Sequence, residues 1–145
     1  MAGARLSVLV PVDFSPTSLK ALREGRRLAD RMGASLTLLH VRPISDVRAA
    51  IDEGREDLLK GPPRTLASAM KSHYAVRLAG LVGRSGASET FLASGRASRE
   101  ILRAMKGFDL VVMGRTGRGG LSGLLGGTTQ KVLAACPVPV IVVPA

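Results

Sequence analysis

The sequence predicts a doubly wound α/β domain, and three observations carry that expectation. Short runs at 5–12, 35–41, 110–113 and 138–143 are rich in Val, Leu and Ile, which suits strands buried on both faces of a parallel sheet. Segments with apolar residues at helical spacing separate them, and such alternation implies a sheet with helices on its faces. The first three elements form one βαβ unit, whose right-handed crossover makes its strands parallel neighbours. At 145 residues the chain has the size of a single domain, 1–145, able to bury roughly 70% of its unfolded surface.

Taken in order, the run at 5–12 is a first strand that stops at Asp13. Ser15-Pro16 then opens a helix, serine as the N-cap and proline where its missing N–H costs nothing. Leu19, Leu22, Gly25, Ala29 and Met32 repeat at helical spacing and are expected to face inward, and Gly33 ends the helix. Residues 35–41 form a second strand closed by Arg42-Pro43. A solvated helix is expected within 44–65, broken at Gly61-Pro62-Pro63, followed by a helix over 65–81 and a turn to Gly86. A third strand at 89–93 precedes a helix over 96–105, with Ala97, Ile101, Ala104 and Met105 on one side. The fourth strand is 110–113, a helix runs from about 128 to 135, and the fifth strand is 138–143.

Composition narrows the function classes. Cys136 is the single cysteine, so no intramolecular disulfide forms and a reducing compartment fits. The apolar run after Arg5 is interrupted by Asp13 without a cleavage site, and the C-terminal apolar run is too short to span a bilayer. A cytoplasmic protein is expected. The net charge of +10 attracts polyanions. Its cations are spread along the whole chain, however, with no interleaved aromatic platforms and no nucleic-acid-binding signature. Solubility and a bias toward small anionic ligands account for the charge more simply.

Function concentrates after the fourth strand. Seven glycines lie between Gly114 and Gly127, and Thr128 and Thr129 stand where the next helix begins. Glycine lets backbone N–H groups approach a ligand without a Cβ in the way, and the first N–H groups of a helix favour an anion. The loop is not a P-loop, a G-x-G-x-x-G turn or a G-x-S-x-G elbow. A plain surface connection is the alternative, but about 14 structureless residues are unusual in a compact domain unless functional or disordered.

What the loop does contain is Gly114-x2-Gly117-x9-Gly127-Thr128. Here the chain resembles the universal stress protein family, in the ATP-binding branch whose signature is G-x2-G-x9-G-[ST]. The resemblance covers nearly the whole chain, through Val10-Pro-Val-Asp-Phe-Ser15, Leu38-Leu-His-Val41, Asp109 to Gly114, and Cys136-Pro-Val-Pro-Val-Ile-Val-Val143. It implies a five-stranded parallel sheet of order 3-2-1-4-5, of the adenine nucleotide alpha-hydrolase-like type. The chain then reverses between strands one and four, and ligands lie outside the carboxyl ends of strands at such a point. Asp13 and the glycine loop both fall there.

The resemblance further implies an adenine-nucleotide site made of Pro11, Val12, Asp13, Val41, Met113, Gly114, Arg115, Gly117, Arg118, Gly127, Thr128 and Thr129. Asp13 takes the ribose or adenine side, Pro11 and Val12 line the same wall, and the Val41 backbone reads adenine. The glycines and threonines present donors to the phosphates of ATP, with charge added by Arg115 and Arg118. At about 0.3 to 1 kcal/mol per helix-terminus contact, micromolar binding near 8 kcal/mol needs several such donors together with base contacts. Asp13 is equally well explained as a turn residue or helix cap. No His, Asp or Glu cluster has metal-ligand spacing, so an accompanying Mg would ride on the phosphates. His40 reads as a partnered core residue and Cys136 as packing.

No nucleophile paired with a general base is visible. The first expectation is therefore a homodimeric regulatory stress-response module that binds ATP and pairs through the edge strand at 138–143, its downstream protein partner not readable from the residues. Slow ATP hydrolysis or adenylyl transfer on the same fold is the second. A nucleotide-free scaffold, as in relatives lacking the glycine signature, is the third.

Overall fold

The computed structural model describes residues 4–42, 80, 89–116 and 125–145; the helices and turn expected within 44–86 lie outside them, Gly80 excepted. Strands β1 (Ser7–Pro11), β2 (Ser35–Arg42), β3 (Glu89–Ser94), β4 (Leu110–Gly114) and β5 (Val140–Val143) alternate with helices α1 (Pro16–Met32), α2 (Ala97–Met105) and α3 (Gly127–Ala135). All strands are parallel in the order β3-β2-β1-β4-β5, as the resemblance implied. β1 lies at the centre, with Val8 opposite Leu36 on one side and Leu110 on the other.

Successive side chains of a strand point to opposite faces, and this divides the core into two. Val8, Val10, Leu36, Leu38, Val112 and Val143 pack toward α1 with Ala21, Leu22 and Ala29. Leu9, Leu39, Val111 and Met113 pack on the other face with Ile101, Met105 and Val132 of α2 and α3. Full burial of such a Val, Leu or Ile side chain contributes about 1.5–3 kcal/mol.

Helix α1 begins and ends where local chemistry dictates. Ser15 is extended, its hydroxyl accepts the Ser18 N–H at 3.2 Å, and Pro16 opens the helix. Gly33 closes it at φ 62, with its N–H turned back to the last carbonyls. The inward face differs from the expected one: Ser18, Ala21, Leu22, Gly25 and Ala29 are buried, Leu19 is half-buried and Met32 is 40% exposed. Small residues permit this because a Cβ on Gly25 would stand 2.7 Å from Val10 Cγ2. The helix therefore lies close to β1 at Gly25.

The terminal strands also depart from expectation. β1 starts at Ser7, leaving Leu6 47% exposed, and β5 starts at Val140. Proline has no N–H to add to the ladder, and Pro139 contributes only its carbonyl, which accepts the Val111 N–H at 3.0 Å. At the amino edge of the sheet, Asp109 Oδ2 accepts the Ser7 N–H at 2.8 Å and the Ser7 hydroxyl at 3.1 Å, tying the start of β4 to that of β1. Among the described residues no helix is long and apolar enough to cross a membrane.

Candidate functional site

At the opposite, carboxyl edge the strand order reverses between β1 and β4, and a cleft opens there. Its empty volume, open mouth included, is about 500 Å³. Leu39, Val41, Ile101 and Met113 form an apolar wall with Pro11 and Ala97. Asp13, Ser18, Thr116 and Thr128 supply polar groups, and Gly114 completes the lining. Of the residues proposed from the sequence, Pro11, Val12, Asp13, Val41, Met113, Gly114 and Thr128 line this cleft.

The turn from β1 to α1 is built around Asp13. Its Oδ1 accepts the Ser15 N–H at 3.0 Å, while its own N–H donates to the Ser18 hydroxyl at 3.2 Å. That hydroxyl in turn donates to the Ser15 carbonyl at 3.0 Å. Asp13 is therefore both a turn residue and part of the cleft wall. Phe14 sits at φ 63, a left-handed conformation that is uncommon for a bulky side chain and stores roughly 1–3 kcal/mol of strain. Its ring lies 4.8 Å from that of His40. His40 is buried, and its Nδ1–H donates to the Val12 carbonyl at 2.7 Å, so this core histidine fixes the backbone of a cleft residue.

On the β4 side the ends of the glycine loop are clamped. The Gly126 N–H donates to the Arg115 carbonyl at 2.9 Å, and the Thr129 hydroxyl donates to the Gly114 carbonyl at 2.9 Å. Thr129 is thereby buried behind the cleft with its hydroxyl engaged in holding the loop. Arg115 is half-buried and outside the cleft lining, its N–H donating to the Val143 carbonyl at 2.9 Å. Gly117 and Arg118 lie outside the described residues.

Two glycines of the signature differ in what they face. A Cβ on Gly114 would come within 2.8 Å of Thr17 Cγ2 and 3.2 Å of the Thr17 backbone, so glycine there serves the packing of α1 on β4. A Cβ on Gly127 would meet nothing within 4 Å among the described residues. Gly127 is exposed, and its N-cap, Gly126, has no side chain with which to cap the helix. Among the described residues no side chain caps the N-terminus of α3, and Thr128 in its first turn lines the cleft.

Ser18, Leu39, Ala97, Ile101 and Thr116 are lining residues that sequence reasoning did not single out. Ala97 and Ile101 were legible as the buried face of α2. Their place in the first turns of a helix following β3 puts them at the same edge of the sheet as Asp13. No group of three or more His, Cys, Asp or Glu gathers among the described residues.

Comparison with known proteins agrees with this architecture. The family model described as Universal stress protein family matches residues 5–144. Universal stress protein YxiE of Bacillus subtilis (strain 168) is 30% identical over 151 aligned positions, covering 92% of this chain and 97% of the relative. Among solved structures, hypothetical protein MJ0577 superposes with a TM-score of 0.76 at 22% identity, over 97% of this chain and 96% of that one. A universal stress protein in complex with cAMP superposes with a TM-score of 0.58 at 20% identity, over 95% of each chain. The chain belongs to the universal stress protein family.

Proposed function

We propose that this protein binds an adenine nucleotide, ATP in the first instance, in the cleft between β1 and β4, and acts as a regulatory module whose occupancy is read by a partner. The observation that carries the proposal is the N-terminus of α3, which no side chain among the described residues caps. Neither the backbone conformation nor a neighbouring atom among the described residues requires glycine at Gly127. Uncapped N–H groups suit a phosphate. The apolar wall of Leu39, Val41, Ile101 and Met113 would take the base, Asp13 the ribose, and Gly127, Thr128 and the loop residues Gly117 and Arg118 the phosphates. Any Mg would be carried by those phosphates. The relative solved with cAMP lends support to an adenine ligand.

Asp13 is the one titratable side chain among the described residues lining the cleft, and its Oδ1 already accepts a backbone N–H. That chemistry suits holding a ligand better than moving protons during fast turnover. Heat release and mass identification of any nucleotide retained on purification, followed by calorimetric titration with ATP, tests the proposal; no retained nucleotide and no heat of binding at millimolar ATP would refute it. Multiple turnover at about 1 per second or faster, the low end of ordinary enzymes, would replace the regulatory reading with a catalytic one.

The homodimer belongs to the same proposal. β5 pairs with β4 alone among the described strands, and its Ile141 is 38% exposed. An uncharged edge of this kind invites pairing with a second copy. Sedimentation showing only monomer at micromolar concentration would count against it.

A further inference from the structure

His40 lies in β2, is 4% exposed and takes no part in lining the cleft. Its ring nevertheless holds the chain on both sides of Asp13. The Nδ1–H donates to the Val12 carbonyl at 2.7 Å, and the ring lies 4.8 Å from that of Phe14 at an interplanar angle of 53°. Asp13 thus stands between two residues gripped by one side chain of the neighbouring strand. Phe14 holds a left-handed conformation at φ 63, and such strain persists only where surrounding contacts enforce it.

The grip comes where the ladder stops. β1 and β2 pair as far as Pro11 opposite Leu39, and the Val12 N–H still donates to the Leu39 carbonyl at 2.8 Å. Bonds of a parallel ladder are evenly spaced, so the next one would run from the Val41 N–H to the Val12 carbonyl. The His40 ring takes that carbonyl instead. β2 itself runs on, pairing Val41 with Ala93 and Arg42 with Ser94 of β3, so the ladder ends because β1 turns away. Residues two apart in a strand share their orientation. The Val41 N–H therefore points to the same side as the Leu39 carbonyl, where Val41 lines the cleft.

We infer that His40 is a positioning residue for the ligand of this cleft: its Nδ1–H replaces the last rung between β1 and β2, and so holds the Val41 N–H and the Asp13 turn in the arrangement that binds. This rests on the adenine-nucleotide reading and adds to it a buried residue that acts without touching the ligand. A histidine kept for packing would need only its volume, whereas the bond to Val12 sets a requirement for a donor.

Asparagine and leucine separate the two roles. They share one branched shape and both lose the ring contact with Phe14, but asparagine keeps an N–H donor one bond from Cγ, as Nδ1 is, and leucine has none. ATP is titrated by calorimetry against the parent, His40→Asn and His40→Leu, at a temperature where urea unfolding shows each to be folded. His40→Leu is expected to weaken ATP binding roughly tenfold, and His40→Asn to stay within about threefold of the parent, although both variants unfold at lower urea than the parent. In the parent, long-range proton–nitrogen NMR spectra should find the His40 ring protonated at Nδ1, with its signals shifted by saturating ATP.

Equal ATP affinity in all three proteins, or an equal loss in both variants, overturns the inference while leaving the nucleotide reading intact. A His40 ring protonated at Nε2 alone, or ring signals that ATP leaves unmoved, overturns it as well, and that measurement stands even where the leucine variant fails to fold. A parent protein that binds no ATP removes both.

Discussion

Helices α1 and α3 both begin beside the cleft, and their first turns are finished in opposite ways. At α1, the Ser15 hydroxyl takes the Ser18 N–H, Pro16 has no N–H to satisfy, and Asp13 Oδ1 takes the N–H of Ser15. At α3, the N-cap is Gly126, the first helical residue is Gly127, and among the described residues nothing lies within 4 Å of a Cβ there. A side-chain cap is worth about 0.5–2 kcal/mol, so α1 carries a stabilising device that α3 forgoes. The difference teaches that one terminus is finished by its own side chains, whereas the other has no side-chain cap among the described residues. On the proposed reading, a phosphate completes it.

Filling the open end is the sharpest way to break this contrast. Gly127→Val should reduce ATP affinity by about a hundredfold or more, about 2.8 kcal/mol, because its side chain would stand over the uncapped helix terminus. Its melting temperature should stay close to that of the parent, since nothing among the described residues meets a Cβ there. Calorimetry beside thermal melting reads both quantities. Unchanged affinity would reduce the open end to an uncapped terminus and nothing more.

Gly114→Ala should show the reverse pattern. Its Cβ would stand 2.8 Å from Thr17 Cγ2 and 3.2 Å from the backbone of α1, and overpacking of this kind costs about 1–3 kcal/mol. Urea unfolding should register that loss, with nucleotide affinity reduced only as far as the folded population falls. An alanine variant as stable as the parent would mean that α1 can shift away from β4 at little cost.

The smallest effect is expected at the closed end. Ser15→Ala removes the cap of α1 and should cost about 1 kcal/mol of stability, measured by the same unfolding. A weaker secondary loss of ligand affinity would follow from loosening the turn that holds Asp13. If Ser15→Ala instead abolished binding while leaving stability intact, the roles assigned to the two helix ends would have to be exchanged.

Much of the fold was legible because its signals are local. Ser15-Pro16 and Gly33 mark the ends of α1 through the conformations those residues favour, and the run at 110–113 marks β4 because burial on both faces leaves no polar alternation. The inward face of α1 was less legible. Hydrophobicity nominated Leu19 and Met32, whereas the close approach of Gly25 to Val10 selected Ser18 and Ala21. Polar residues with local hydrogen bonds can occupy such a face, as Ser18 does by bonding to Ser15 and Asp13, and no apolar count reveals that.

The candidate site divides along the same line. Asp13 and the glycine loop were legible because an ionised group ending an apolar strand and a run of glycines before a helix are both exceptional in a sequence. Ser18, Ala97, Ile101 and Thr116 carry no comparable mark. They line the cleft because their helices and strands end at one edge of the sheet, which is a property of strand order rather than of any segment.

By itself the sequence determined the succession of strands and helices, the ends of α1, and the G-x2-G-x9-G-T spacing that marks the family. Only the tertiary structure decided that Gly114 answers to Thr17 while a Cβ on Gly127 meets nothing among the described residues, that the Thr129 hydroxyl is engaged by Gly114, and that Thr116 lines the cleft. The physical reason is that spacing and propensity act between chain neighbours. Whether a Cβ has room, or a hydroxyl a partner, depends on atoms contributed by distant segments that meet only when the sheet is assembled.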